Sequence, residues 1–313
     1  MPNKIGDLPD NISDEARAFY AGLDPVSIDV DLCDPQVAQT MRDAIHAEWR
    51  ATNEEIKTPF EFRPENMGGV PGVWITSGVE APGNYIVMAL HGGAYVFGNP
   101  EDNASTAIAV ANQTGRPIFS VDYRLAPEHP FPAAIDDAVA AYSGLLQAGF
   151  SPAQIGVLGE SAGAGLALAM SLRLREMNLA LPGALVLLSA WADLEGKSDS
   201  LSTLQHADLD FAAPSALFSC VAPYVRAASV SDPLISPVNA KLDGFPPLFI
   251  QAGAREMLLS DSLRLAHNAR EGQVDVTLDI WDGMGHVFNA IPGLPEADAA
   301  NKRIAEFLVS KLC

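Results

Sequence analysis

The sequence is poor in positive charge: 19 Lys and Arg stand against 39 Asp and Glu, a formal net charge of −20 over 313 residues. Such an anionic surface repels phosphate backbones and anionic lipid headgroups, which excludes nucleic acid and the membrane surface as partners. Cysteine is also scarce. Cys33, Cys220 and Cys313 are far apart, match no C-x-x-C metal or redox spacing and leave an odd count, as in a protein of the reducing cytoplasm. The opening residues, Met1-Pro2-Asn3-Lys4-Ile5-Gly6-Asp7, lack the basic segment and apolar run of an export signal, so a cytoplasmic location is the expectation. Long hydrophobic runs are missing too. The most apolar stretches, around 162–172 and 183–192, are too short to span a bilayer and read as a buried helix and a buried strand. Neither internal repeats nor low-complexity tracts occur.

Apolar side chains, by contrast, make up 48% of the chain, enough for one large core with an appendage. Residues 1–57 read as helical and polar. Asp34-Pro35 is a helix start, because the carboxylate caps free N–H groups and proline tolerates the first helical position. Met41, Ile45 and Trp49 then form one apolar stripe, expected to pack on the main domain with its end near the substrate. From about residue 58 strands alternate with helices. Runs suited to buried strands lie at 85–90, 117–122, 154–158, 184–190, 247–252 and 274–281; helical periods lie at 103–114, 133–148, 162–177, 260–271 and 296–312. That rhythm predicts a mainly parallel central sheet flanked by helices, with a site at the carboxyl ends of its strands. Residues 194–230 break the rhythm. They are expected to be an insertion that joins residues 1–57 as a helical cap over a catalytic domain at 58–313.

The strand-like run Ile155 to Leu158 leads into Gly159-Glu160-Ser161-Ala162-Gly163, followed by the small, helix-forming run Ala164 to Met170. A G-x-S-x-G arises by chance in roughly one chain in ten of this length, so the motif alone is weak. Its position between strand and helix is what gives it weight. A serine on a sharp, strained elbow needs glycine on either side, where larger side chains would clash. A phosphate-binding turn fits less well, since neither a G-K-[ST] ending nor G-x-G-x-x-G spacing is present. Ser161 is therefore the candidate nucleophile.

Acyl transfer builds an oxyanion that main-chain N–H groups must hold. The apolar run Val87 to Leu90 ends in His91-Gly92-Gly93-Ala94, and Gly92, Gly93 and Ala162, the residue after the nucleophile, are the candidate donors. His91 is assigned to orienting that loop. The candidate base is His286, in the glycine-bracketed loop Asp282-Gly283-Met284-Gly285-His286 after the last strand, whereas His206 reads as solvated and the mid-helix His267 as surface or helix packing. Two carboxylates follow the strand at 247–252. Glu256 lies nearer the strand end, while Asp261 stands where a helix should begin and serves equally well as a helix-terminal charge. Glu256 is preferred and Asp261 is the alternative acid.

These motifs, with Asp122-Tyr123-Arg124-Leu125-Ala126-Pro127-Glu128-His129-Pro130-Phe131-Pro132-Ala133, resemble the bacterial hormone-sensitive-lipase-like (family IV) esterases of the α/β-hydrolase superfamily over residues 58–313. The resemblance implies an α/β-hydrolase fold, a serine carboxylesterase, catalytic Ser161 and His286, and an oxyanion hole of Gly92, Gly93 and Ala162. The thirty-residue separation of Glu256 and His286 suits that family's acid-to-histidine spacing. Ala94, Glu160 and Glu256 depart from the family's commoner Gly, Asp or Thr, and Asp at these places. The implied substrate is a small ester of short to medium chain, favoured also by the aromatic cap residues Phe19, Tyr20, Trp49, Phe211 and Phe218. No metal or cofactor is called for, and a homodimer is compatible with the resemblance. Hydrolysis of amides, lactones or carbamates uses the same parts. A non-catalytic small-molecule receptor, such as the gibberellin receptors that resemble this family, is disfavoured because His286 is present. Arg124 and Glu128 are expected to pair and fix the proline-rich loop, and Asp232 to shape its own loop.

Overall fold

The computed structural model describes residues 8–81 and 83–312; the opening segment Met1 to Asp7 and Cys313 lie outside them. Two helices come first, α1 (Asp14–Gly22) and α2 (Pro35–Glu54). The Asp34 carboxylate accepts the Gln36 N–H at 2.8 Å and Pro35 takes the first turn of α2. Met41, Ile45 and Trp49 lie half-buried against the main core, as their four-residue spacing predicts.

Eight strands form one sheet in the order β1-β2-β4-β3-β5-β6-β7-β8. The members are β1 (Phe60–Met67), β2 (Val70–Ser77), β3 (Ile86–Leu90), β4 (Ile118–Val121), β5 (Ile155–Glu160), β6 (Ala184–Leu188), β7 (Leu248–Gly253) and β8 (Val276–Trp281). From β4 through β8 all neighbours are parallel. Crossovers are made by α3 (Ser105–Thr114), α4 (Ala133–Gln147), α5 (Ala162–Glu176) and α9 (Leu259–Glu271), and α10 (Pro295–Leu312) ends the described chain. Short helices α6 (Ser200–Thr203), α7 (Pro214–Phe218) and α8 (Val221–Val225) occupy the stretch between β6 and β7.

Strands β3, β5 and β6 are apolar at nearly every position because helices cover both faces of the sheet. Alternation decides which face each residue serves. Ile86, Met88 and Leu90 join the core under α4, α5 and α9, while Val87 and Ala89 meet α3 and α10. The six strand runs and five helical periods of the domain read from sequence thus become β3 to β8, α3, α4, α5, α9 and α10, with ends displaced by a few residues. The hairpin β1–β2 went unread. Its signal was a two-residue Gly68-Gly69 turn, both φ positive, joining Met67 and Val70. β1 is largely exposed at the sheet's edge, so it shows no hydrophobic run.

The N-terminal helices and the 194–230 stretch are tied to each other. Val26 and Phe211 form a parallel bridge, with Val26 N–H donating to Asp210 O at 2.6 Å and Ala212 N–H to Val26 O at 2.9 Å. Among the described residues no helix is long and apolar enough to cross a membrane.

Candidate active site

Four sheet ends converge. Ser161 follows β5, the His91 loop follows β3, and the Glu256 and His286 loops follow β7 and β8. Ser161 has φ 55° and ψ −119°, a conformation costly for a residue with a side chain and kept only where the surroundings impose it. They do so by contact. A Cβ on Gly163 would overlap the carbonyls of Leu90 and His91, and one on Gly159 would overlap Gly163. Ser161 N–H donates to Leu188 O at 2.8 Å, and its own carbonyl accepts the Trp191 N–H at 3.1 Å. The serine is 6% exposed.

The loop after β3 is fixed by a buried histidine. His91 Nδ1 donates to Gly92 O at 2.7 Å, its ring stacks on Tyr123 with centroids 4.2 Å apart, and Tyr123 Oη donates to His91 O at 2.7 Å. Burial pushes its pKa down to about 4, so the ring is neutral and serves architecture, as expected. Of the predicted oxyanion donors, Gly92 directs its N–H at Glu160 Oε1, 3.4 Å away. The N–H groups of Gly93, Ala94 and Ala162 make no hydrogen bond to another described residue. Ala94, which the sequence suggested only as a conformational variant, therefore offers a further open donor.

Glu256 and His286 meet. His286 Nδ1 lies 3.6 Å from Glu256 Oε2, an ion-pair separation longer than a hydrogen bond; Glu256 is fully buried and the His286 side chain is 10% exposed. The loops carrying them are knitted through Ala254 N–H to Trp281 O and Arg255 N–H to Met284 O, each 2.9 Å. Ser189 Oγ donates to Glu256 Oε2 at 2.7 Å and accepts the Val287 N–H at 2.9 Å. Burial pushes the Glu256 pKa up, against the pull of His286 and Ser189. For His286 burial works downward, but the facing carboxylates of Glu256, Asp210 and Asp208 outweigh it and raise the pKa above the ordinary value.

Asp261 is occupied elsewhere. On the first turn of α9, it accepts the N–H groups of Ala192 at 2.9 Å and Asp193 at 2.8 Å, and the Ser198 hydroxyl. His206 and His267 are exposed, as expected. Asp232 accepts the Leu234 N–H at 2.9 Å and shapes its own loop. The expected Arg124–Glu128 pair does not form. Arg124 instead grips Asp137, at 2.8 Å, and Glu128 pairs with Arg42 of α2 at 2.7 Å. The reason lies in three dimensions: Arg42 is buried and also donates to Val96 O at 2.7 Å and Ala126 O at 2.6 Å, tying α2 to both loops. Of the five aromatics expected in a cap, Phe211 lies 5.1 Å from the His286 ring, Tyr20 donates to Met284 Sδ and accepts the Gly285 N–H of the histidine loop, and Phe218 packs on Trp191. Trp49 stacks on His46 and Phe19 is exposed. Sequence pattern did not point to Ser189, Asp208 or Asp210, because their partners are distant in the chain.

A family model for the alpha/beta hydrolase fold matches residues 87–290. An esterase from Acinetobacter venetianus is 36% identical over 80% of this chain and 82% of its own length, and an acetyl-hydrolase from Streptomyces hygroscopicus is 34% identical over 86% and 95%. A solved esterase of the bacterial hormone-sensitive lipase family superposes with a TM-score of 0.85 at 33% identity, covering 94% of this chain and 95% of that one. With a family match over most of the chain, relatives above 30% identity and a solved esterase sharing the fold, the chain belongs to the α/β-hydrolase family, among its bacterial hormone-sensitive-lipase-like (family IV) esterases.

Proposed function

We propose that this carboxylesterase hydrolyses small esters with short- to medium-chain acyl groups through an acyl-enzyme on Ser161. The observations that support the reading are the Glu256–His286 pair in the loops after β7 and β8, the serine held in a strained elbow after β5 at the same end of the parallel sheet, and three main-chain N–H groups without a partner among the described residues. His286 turns Nδ1 toward Glu256, which leaves its other nitrogen to take the Ser161 proton as Oγ attacks the ester carbonyl. Glu256 holds the ring and stabilises its charged form. The oxyanion is held by Ala162, Gly93 and Ala94; Gly92, the remaining predicted donor, joins them on releasing its long contact with Glu160. The alcohol departs with the proton from His286, and water activated by the same ring frees the acid.

Helices α1 and α2 and the 194–230 insertion are proposed as a cap over the domain at 58–313, a reading supported by the Val26–Phe211 bridge. Bulky buried groups beside the nucleophile favour short acyl chains: Trp191 bonds the Ser161 carbonyl, and Tyr95 stacks on Tyr224 with centroids 3.9 Å apart. Cys33 and Cys220 are free thiols, which suits the cytoplasm. Ser161→Ala is expected to lower turnover of p-nitrophenyl butyrate by more than about 10⁴-fold with melting temperature unchanged. Across a p-nitrophenyl ester series, acetyl and butyryl esters should turn over fastest and palmitoyl slowest. Full turnover by the alanine variant rules out the serine assignment, and a palmitoyl optimum rules out the short-chain one.

A further inference from the structure

The insertion carries two carboxylates two residues apart, and each reaches a loop of the proposed active site. Asp208 is fully buried: Oδ1 accepts the N–H groups of Asp210 and Phe211, at 2.9 and 2.8 Å, and Oδ2 accepts that of Met257, next to Glu256, at 2.6 Å. Asp210 Oδ2 accepts the N–H of His286 itself, at 2.6 Å. Residue 285 is glycine, and a Cβ there would overlap that same oxygen. Three consecutive N–H groups of the histidine loop are thus held by side chains from three elements. Tyr20 of α1 accepts from Gly285 at 2.9 Å, Asp210 of the insertion from His286, and Ser189 after β6 from Val287 at 2.9 Å.

Only one of the three ties is a carboxylate set among other carboxylates, the half-buried Asp210. His286 is faced by Glu256 from the loop after β7, by Asp208 and Asp210 from the insertion and by Glu160 from the end of β5. Asp210 in turn faces Asp208, Glu256, His286 and the Tyr20 phenol, and burial followed by Asp208 pushes its pKa up to about 7. A carboxylate kept among other carboxylates at such electrostatic cost is the pattern of functional sites more than of stabilising contacts.

We infer that Asp210 is a positioning residue for the proposed reaction, aiming the His286 ring through that residue's own main-chain N–H, while Asp208 fixes the acid loop through Met257. The segment 208–210 thereby sets the spacing of the Glu256–His286 pair and couples it to the cap. The inference rests on the reading of Ser161, Glu256 and His286 given above.

The test compares Asp210→Ala, Asp210→Asn and Ser161→Ala in the full chain, measuring kcat and KM for p-nitrophenyl butyrate across pH. Asp210→Ala should lower kcat about tenfold or more with KM changed less than about threefold, because the substrate's own contacts remain. Asp210→Asn should recover much of kcat, since its amide oxygen still accepts the His286 N–H. In both variants the acid limb of kcat/KM should move to lower pH, because Asp210, titrating near 7, is charged over the upper part of that limb and this charge facing the imidazole is gone. The inference is overturned if both variants keep wild-type kcat, or if kcat falls while the acid limb stays in place, the signature of a cap loosened at a distance. Should Asp210→Ala not fold, Asp210→Asn and its acid limb decide alone. Turnover by Ser161→Ala sinks the underlying reading; an inactive Ser161→Ala beside wild-type Asp210 variants sinks this inference only.

Discussion

The turn that carries Ser161 and the loop that carries His286 differ in what holds them. Around the serine the constraint is backbone against backbone: Gly159 on Gly163, Gly163 on the Leu90 and His91 carbonyls, and the Ser161 amide on Leu188. Around the histidine, backbone contact (Gly253 on the Met284 and Gly285 carbonyls, the Arg255 N–H on Met284 O) is joined by side chains, with Tyr20, Asp210 and Ser189 each accepting one N–H. Close-packed strands and helices allow little adjustment. Oxygen atoms on side chains, two of them from outside the sheet, can be rearranged by a modest movement of the segments that bear them. The serine turn, held by backbone alone, is thus the more rigid, and the histidine loop, whose ties include three side chains, the more adjustable.

The sharpest way to probe the adjustable side is Glu256→Gln beside Asp261→Asn. Glu256→Gln should lower kcat by about 10³- to 10⁴-fold, as when a triad acid loses its charge, whereas Asp261→Asn should leave kcat within a few-fold. Asp261→Asn acts on stability instead. Burial raises the Asp261 pKa from 3.8 to about 7, so its contribution is fully present below 3.8 and is lost as pH rises through 7. Melting temperature measured across that window should be flatter in the variant. On the rigid side, Gly163→Ala places a Cβ into two carbonyls and should cost about 2–4 kcal/mol in urea unfolding, with turnover falling about 100-fold. Arg42→Ala, which strands the Val96 and Ala126 carbonyls, should cost about 1–3 kcal/mol and change kcat only a few-fold. The smallest effect is on pH. Because carboxylates hold the His286 pKa above 6.5, kcat/KM should rise with pH through a midpoint above that value, and Glu256→Gln should move the midpoint down.

Strand and helix periods, the serine elbow and the histidine loop were legible because each is written in neighbouring residues. A buried parallel strand is an apolar run, and an elbow is a strand, two glycines and a helix. The edge strand β1 escaped notice because exposure removes its hydrophobic signal. Arg124 and Glu128 looked like partners because they are close in sequence, yet Asp137 lies one loop and a helical turn away and Arg42 comes from α2. Glu256 and Asp261 were separable by spacing only weakly, and the donors that occupy Asp261, from Ala192, Asp193 and Ser198, lie more than sixty residues upstream.

What the sequence by itself determined is the local chemistry: a serine between small residues, amide-rich turns at strand ends, and a histidine after the last strand, all specified by short-range sterics and periodicity. The tertiary structure decided which carboxylate faces the imidazole, which amides are left open and which residues of α1 and the 194–230 stretch grip the histidine loop. Those outcomes depend on contacts between segments tens to hundreds of residues apart, and no local pattern encodes a distance across the sheet.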